Sequence, residues 1–274
     1  MKQNIVLTVL PNDAARVRIG LLLAVAMLFT HHNAKAQVSL GTASNFEVLA
    51  GSTITSTGET VINGGDVGLS PGTSITGFPP GIISAPYTIE AANGLAAQAE
   101  SDLVTAYNTA AGLSPTANLT GQDLGGLTLT PGVYFFSSSA GLTGTLTLND
   151  EGNPNALFVF QIGSTLTTAA DSSVVTINSG STPDLDIFWQ VGSSATVGTD
   201  TDFEGNILAE TSITMNTGAT NSDGRLLAIN GAVTLDANTL TTSAVPEPSS
   251  LLLLGAGLAT VFVFRRRFLL HKSS

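Results

Sequence analysis

Side chains able to perform covalent chemistry are nearly absent from the centre of this 274-residue chain. Between residues 37 and 244 there is no histidine, cysteine or lysine, and Arg225 is the single basic residue. Nucleophilic catalysis needs a base beside the nucleophile, and zinc chemistry needs histidine or cysteine ligands. We therefore predict that the protein is not an enzyme and uses no cofactor.

Two pairs of carboxylates are the remaining candidates for site chemistry. Asp184 alternates with Asp186, and Asp200 alternates with Asp202, so each pair lies on one side of a strand. Oxygen ligands in this arrangement are typical of a weak calcium site, although such pairs are more often solvated corners. We predict no metal site. Weak calcium binding remains part of an alternative function, that of a matrix or adhesive protein.

The net charge of the central segment excludes one class of partner. Residues 37–244 contain eighteen acidic side chains and one arginine, a formal charge of −17. Binding to phosphates requires several cations, which this segment does not have. We therefore predict no binding to nucleic acid.

The first thirty-six residues have the pattern of a secretory signal peptide. Basic residues precede an apolar run at 19–30, and small residues at 34 and 36 frame a cleavage site before Gln37. The apolar run is shorter than the ~20 residues of a membrane-spanning helix. We predict a signal peptide over 1–36, with a membrane anchor as the alternative.

The last thirty residues, 245–274, combine a Pro-Glu-Pro motif, an apolar segment at 251–264 and an arginine cluster. Arginines after an apolar segment keep that end in the cytoplasm. The arrangement resembles the PEP-CTERM sorting signal of Gram-negative bacteria, which implies processing by an exosortase-type protease and a secreted or cell-surface protein. An ordinary membrane anchor is the alternative. The predicted signal residues are Pro246, Glu247, Pro248, Arg265, Arg266 and Arg267.

Imperfect repeats in residues 37–244 predict a β-solenoid. The string QIGSTLT (161–167) is echoed by QVGSSAT (190–196), and a second echo has an offset of about twenty residues. Short strands of period two between Gly, Pro and Asn turns place apolar residues inside and threonines outside. One segment, 89–111, has helical periodicity instead. We predict a helix there, beginning at Thr88 as N-cap and ending at Gly112.

Several strings resemble the bacterial and fungal ice-binding protein family. That resemblance implies a mainly β fold, an irregular right-handed β-helix with one long α-helix packed alongside. It also implies adsorption to ice, or ordered water, through a flat face of threonines. The strings are LGTASNF (40–46), VLAGSTIT (48–55), GLSPG (68–72), LTLTPGVY (127–134) and FVFQIGS (158–164).

The candidate ice-binding residues come from two patterns. The family motif Thr-(Ala or Gly)-x-(Thr or Asn) fits residues 42–45, 57–60 and 217–220, and the echoes place three further threonines at equivalent points of three coils. A charge on the binding face, such as Glu59 or Asp236, would weaken the match to ice. The candidates are Thr57, Thr60, Thr196, Thr214, Thr217, Thr220 and Thr234.

A second function remains open on the sequence alone. Threonine is also an ordinary solvent-facing strand residue, so a stiff acidic solenoid could be a matrix or adhesive protein that binds exopolysaccharide or calcium. In both readings the membrane is contacted only through the C-terminal tail.

Overall fold

The computed structural model describes residues 38–153, 155–179 and 186–242. The predicted signal peptide, the sorting tail and Asp184 lie outside these residues. Within them, no helix combines the length and the apolar character that a membrane crossing requires.

Twenty-four short strands and one long helix, α1 (Gly94–Ala111), follow a 3₁₀ turn at Gly41–Asn45. In chain order the strands are β1 (Phe46–Ala50), β2 (Thr53–Thr57), β3 (Val61–Asn63), β4 (Asp66–Leu69), β5 (Ser74–Thr76), β6 (Ile82–Ile83), β7 (Ile89–Ala91), β8 (Ala117–Asn118), β9 (Thr128–Leu129), β10 (Gly132–Phe136), β11 (Ala140–Leu142), β12 (Thr145–Asn149), β13 (Leu157–Ile162), β14 (Leu166–Thr168), β15 (Ser173–Ile177), β16 (Asp186–Val191), β17 (Ala195–Val197), β18 (Asp202–Glu204), β19 (Asn206–Ala209), β20 (Ile213–Met215), β21 (Thr220–Ser222), β22 (Leu226–Ala228), β23 (Val233–Asp236) and β24 (Thr239–Thr241).

The strands form three parallel sheets that run the length of a solenoid. Sheet A has the order β7-β4-β1-β22-β19-β16-β13-β10-β8, sheet B has β11-β14-β17-β20-β23-β2-β5, and sheet C has β6-β3-β24-β21-β18-β15-β12-β9. A complete coil supplies one strand to each sheet in the order A, B, C. The predicted mainly β solenoid with one long helix is confirmed.

The coils are not stacked in chain order. The strands β1, β2 and β3 pair with β22, β23 and β24, so the first coil lies against the last one. Helix α1 carries the chain from β7 at one end of sheet A towards β8 at the other end. Its eighteen residues cover about 27 Å, most of the length of the stack.

Helix α1 covers the outer face of sheet A. Its buried side chains pack against apolar residues that point outward from that sheet, among them Leu49, Phe188 and Leu227. Small residues allow the helix to lie close to the strands. The buried helical residues are Ala96, Ala99, Leu103, Ala106 and Ala110.

The predicted start of the helix is wrong, whereas its end is as expected at Gly112. The side chain of Asn93 is the N-cap and accepts a hydrogen bond from the backbone N–H of Ala96 at 3.0 Å. Residues 89–91 instead form β7, which pairs with β4. Backbone pairing within sheet A therefore delays the helix by five residues.

The interior is filled by stacked aromatic rings. The ring of Trp189 lies 3.9 Å from that of Phe160 and 5.0 Å from that of Phe203, measured between centroids. The indole N–H of Trp189 donates to the carbonyl of Glu204 at 3.0 Å, which satisfies its one polar atom. Trp189 is therefore a core residue, and the adjacent Phe188 is buried as well.

Candidate functional site

One unbroken row of threonines lies on the outer face of sheet B. Each member is paired in register with the next, and we call this row the Thr column. It brings together three of the predicted residues and adds three that were not predicted. In order along the solenoid its members are Thr167, Thr196, Thr214, Thr234, Thr55 and Thr76.

The strands of sheet B position these threonines by simple alternation. In the strand Ile213–Met215 the first and last side chains are buried in the core, and the central Thr214 points outward. Parallel strands lie about 4.8 Å apart, so six threonines form a row of about 24 Å. The restricted χ1 of threonine keeps each methyl and hydroxyl in one orientation.

The hydroxyls of the Thr column are available to solvent. None of the six donates to or accepts from another protein group in the described part of the chain. Half of the members are exposed and the other half are partly shielded by their neighbours. The column is also uncharged along its whole length.

A second row of hydroxyls lies two residues earlier, just before three of these strands, and these hydroxyls do have protein partners. The hydroxyl of Thr165 donates to that of Ser139 at 2.8 Å, and Ser194 accepts from the N–H of Ser212 at 3.3 Å. The hydroxyl of Ser212 accepts from the N–H of Ala232 at 3.2 Å. These groups stabilise the corner of the solenoid and offer less to water than the Thr column does.

The column ends at a glycine, beside the side chain of Asp123. The position next to Thr167 is Gly141, and a Cβ there would lie 3.2 Å from Oδ2 of Asp123. At the opposite end of sheet B, Thr76 lies in the last strand, β5.

Two predicted threonines are held by the carboxylate of Asp236, the last residue of strand β23. The hydroxyls of Thr57 and Thr217 both donate to Asp236, the former at 2.9 Å. These hydrogen bonds hold the pKa of the Asp236 carboxyl below its usual value because they favour the ionised form. Asp236 follows Thr234 by two residues in β23, so this charge lies on the same outer face of sheet B, next to the Thr column but outside it.

Thr220 and Thr60 are also separated from the column. Thr220 lies on sheet C, and its hydroxyl donates to Asp202 at 3.0 Å. Thr60 has no exposed surface, and its hydroxyl accepts from the N–H of Asn238 at 3.3 Å. The prediction of Thr60 as a surface residue is therefore wrong, because the turn between β2 and β3 folds this side chain inward.

The other two faces offer no equivalent surface. Sheet A is covered by helix α1, and the outward row of sheet C is interrupted by Asp202 between Ser173 and Thr220. A charged side chain holds its own water and breaks a repeating neutral pattern. Among residues 38–153, 155–179 and 186–242, no group of three or more acidic side chains could hold a metal ion.

The three threonines that were not predicted have a recognisable sequence signal. A glycine, two serine or threonine residues, one apolar residue and a threonine recur in GSTIT (51–55), GTSIT (72–76), GSTLT (163–167) and GSSAT (192–196). In each string the last residue belongs to the Thr column. Alignment of these four strings would have identified Thr55, Thr76 and Thr167.

Buried acidic groups lie where sheet C meets sheet A and under helix α1. Burial raises the pKa of Glu47 to about 7, although a hydrogen bond from Thr242 and the charge of Arg225 oppose this. Burial likewise raises the pKa of Glu204 to about 7 and that of Glu100 to about 8. The side chain of Arg225 itself donates to the carbonyl of Ser44 and to Oδ1 of Asn206, and it acts on Glu47 only through its charge. These groups bear on stability and lie away from the Thr column.

Comparison with known proteins gives a consistent identification. Residues 48–241 match the model of the ice-binding-like family, and residues 244–267 match the PEP-CTERM protein-sorting motif. An ice-binding protein of Nostoc sp. (strain HG1) is 55% identical over an alignment of 258 residues that covers 90% of this chain and 94% of that protein.

Solved structures agree with this identification. The crystal structure of an ice-binding protein from the Antarctic ascomycete Antarctomyces psychrotrophicus has a TM-score of 0.69 and 43% identity, and covers 76% of this chain and 98% of that one. An ice-binding protein from an Antarctic biological consortium has a TM-score of 0.68 and 48% identity, covering 74% and 90% respectively. The sorting motif indicates export to the cell surface or the extracellular space. The chain thus belongs to the ice-binding-like family and carries a PEP-CTERM sorting motif.

Proposed function

We propose that this exported protein binds ice through the Thr column of sheet B. The observation that carries the proposal is the uncharged row of six threonines whose hydroxyls have no partner among the described residues. The names of the related proteins support the same function.

The chemistry of threonine explains how such a row would act on water. The methyl group favours caged water, and the hydroxyl fixes that water by donating and accepting hydrogen bonds. Because the side chains are already held by the sheet, little conformational entropy is lost when ordered water adsorbs. A rigid row at regular spacing can therefore bind an ice surface with many weak contacts at once.

The proposal includes how the chain is processed. We infer that residues 1–36 are removed as a signal peptide, that 37–244 form the functional body, and that an exosortase-type protease recognises 245–274. We also infer no catalytic role, because the body has no histidine, cysteine or lysine to serve as a base or nucleophile. No described feature favours exopolysaccharide or calcium as a ligand to a comparable degree.

A single substitution in the middle of the Thr column tests the proposed face. Thr214→Tyr places a bulky ring on the flat row and lifts neighbouring hydroxyls away from ice. Thr239→Tyr is the matched control, because Thr239 also points outward from a central strand, but on sheet C. Thr239 is exposed and Thr214 is half-buried, with both side chains on the outer surface of the solenoid. Surface substitutions usually cost within roughly 0.5 kcal/mol, so both variants should remain folded.

We expect the purified body to shape single ice crystals and to slow recrystallisation. Thr214→Tyr should lose most of this activity and Thr239→Tyr should retain it, with similar thermal midpoints. Equal loss in both variants would place the activity elsewhere. A wild-type body that neither shapes ice nor slows recrystallisation would refute the function itself.

A further inference from the structure

Among the residues that flank the Thr column in the described part of the chain, Asp236 alone carries a charge. A strand places residues two positions apart on one side, so each column member is flanked by the residues two positions earlier and two positions later. These positions lie in the strands of sheet B or directly next to them, except after β5, which ends at Thr76. The earlier ones are Thr165, Ser194, Ser212, Ala232, Thr53 and Ser74, and the later ones are Ala169, Gly198, Asn216, Asp236 and Thr57.

The side chain of Asp236 links neighbouring coils of the solenoid. Asp236 is paired in register with Thr57 of the first coil, whose hydroxyl donates to Oδ1 at 2.9 Å. On the other side, Oδ2 accepts from the hydroxyl of Thr217, in the turn that follows β20. The carboxylate therefore holds β23 to the first coil and to the coil before it.

This carboxylate is ionised and meets water. The two hydroxyl donors hold the pKa of Asp236 below its usual value, so the group is charged at neutral pH. A carboxylate only accepts hydrogen bonds, so every water molecule in contact with it must donate towards it. A threonine hydroxyl can both donate and accept, which suits a water lattice whose orientation is already fixed. Removing a charge from liquid water is also costly.

Asp236 also changes what its two threonine neighbours can offer. A hydroxyl has a single proton, and those of Thr57 and Thr217 are donated to the carboxylate. These hydroxyls can still accept a hydrogen bond from water, but they cannot donate one. The charge thus acts together with two lost donors, although both threonines fit the sequence motif of the family.

We propose that Asp236 forms the edge of the ice-binding surface and limits the affinity of the protein for ice. Ice contacts the Thr column, and the contact ends at this carboxylate. The limit rests on the function proposed above, because it concerns the same face of sheet B. Without the charge, the neutral positions that follow the column, among them Asn216 and Thr57, would extend the surface.

The same contacts explain why the fold retains a charge at this position. Hydrogen bonds to an ionised acceptor are stronger than those between neutral groups. Those of Asp236 join β23 to β2, which are distant in sequence but adjacent in the solenoid. Asp236 therefore stabilises the fold while it limits binding to ice, so its removal should change the two properties in opposite directions.

The test compares two variants of the mature protein that each lose one charge. Asp236→Asn keeps the shape of the side chain and an acceptor for both threonines. Asp202→Asn is the matched control, because Asp202 is exposed and accepts from the hydroxyl of Thr220 at 3.0 Å, but on sheet C. For each protein we would measure the lowest concentration that halts ice recrystallisation, the thermal hysteresis and the thermal midpoint of unfolding.

We expect Asp236→Asn to halt recrystallisation at a several-fold lower concentration than the wild type, and to unfold at a lower temperature. Asp202→Asn should match the wild type in its action on ice. A gain of activity cannot result from damage to the fold. Unchanged or weaker activity of Asp236→Asn would overturn the limit, and so would an equal gain in both variants, since net charge and not position would then be the cause.

The outcomes also separate this limit from the proposed function. If the wild type acts on ice and Asp236→Asn is no more active, the limit is refuted and the function stands. If Asp236→Asn acts on ice and the wild type does not, the function of the natural protein is refuted and the limit stands. If neither protein shapes ice or slows recrystallisation, both are refuted.

Discussion

Glu100 of helix α1 should make the stability of the protein depend on pH. Both of its carboxylate oxygens are buried, and neither has a hydrogen-bond partner among the described residues. Burial raises the pKa of this carboxyl from 4.5 to about 8, because a charge is poorly solvated beneath the helix. The substitution Glu100→Gln keeps the shape of the side chain and removes the ionisation.

The direction of the effect follows from proton uptake on folding. Between pH 4.5 and about 8 the folded chain holds a proton on Glu100 that the unfolded chain has released. Stability from this group is therefore fully present below pH 4.5 and is lost as pH rises towards 8. Glu47 and Glu204, whose pKa values are raised to about 7, act in the same direction, and they do so equally in the wild type and in Glu100→Gln.

The magnitude can be worked from the two pKa values. A difference from 4.5 to about 8 corresponds to about 5 kcal/mol, at roughly 1.4 kcal/mol for each pKa unit. Because the helix can shift and admit water when the carboxyl ionises, we expect a loss on the order of 3 kcal/mol. For a domain of this size that equals about 6–12 °C in thermal midpoint.

The assay is thermal and urea unfolding of wild type and Glu100→Gln between pH 5 and 8.5. As pH rises, the free energy of unfolding of the wild type should fall relative to that of the variant. The substitution can also change stability by an amount that does not depend on pH, so the test is the slope with pH and not the difference at one pH. Glu59→Gln is the control, since Glu59 is exposed in the turn after β2, and it should parallel wild type. Parallel curves for wild type and Glu100→Gln would refute the reasoning.

Three further predictions concern the core, the buried Arg225 and export. Trp189→Ala should cost about 3–5 kcal/mol, measured by urea unfolding, because it removes the centre of the aromatic stack; a loss below ~1 kcal/mol would contradict this packing. Arg225→Ala should cost about 3–5 kcal/mol and more at pH 8 than at pH 5, since Glu47 loses its counter-charge; a loss independent of pH would argue against that pairing. Mass spectrometry of envelope and medium should find a mature N-terminus near Gln37 and a chain shortened near Pro246, and an intact tail in both fractions would refute processing.

The sequence alone determined the class of fold and much of the chemistry. Period-two strands and repeated strings predict a solenoid, and the three- and four-residue spacing from Ala96 to Ala110 predicts one helix. These properties are local, since each depends on residues within a single coil or a single helix. The echoes also align Thr196, Thr214 and Thr234, because equivalent positions in neighbouring coils are paired in register.

Only the tertiary structure decided which coils are neighbours. The inward and outward pattern of a strand is satisfied by any parallel partner, so it cannot show that β2 pairs with β23 from the far end of the chain. That pairing extends the Thr column to Thr55 and Thr76. It also brings Thr57 to Asp236, so one threonine of the family motif is held by a carboxylate.

The local sequence pattern also did not determine which side chains are buried or which face of the solenoid is covered by the helix. Thr60 fits the same motif as its neighbours, yet the turn that contains it folds inward against Asn238. The outer face of sheet A alternates as the others do, but helix α1 lies across it. Within the described part of the chain, contacts between segments that are distant in sequence decide which face of the solenoid is uncovered and which of its hydroxyls have no protein partner.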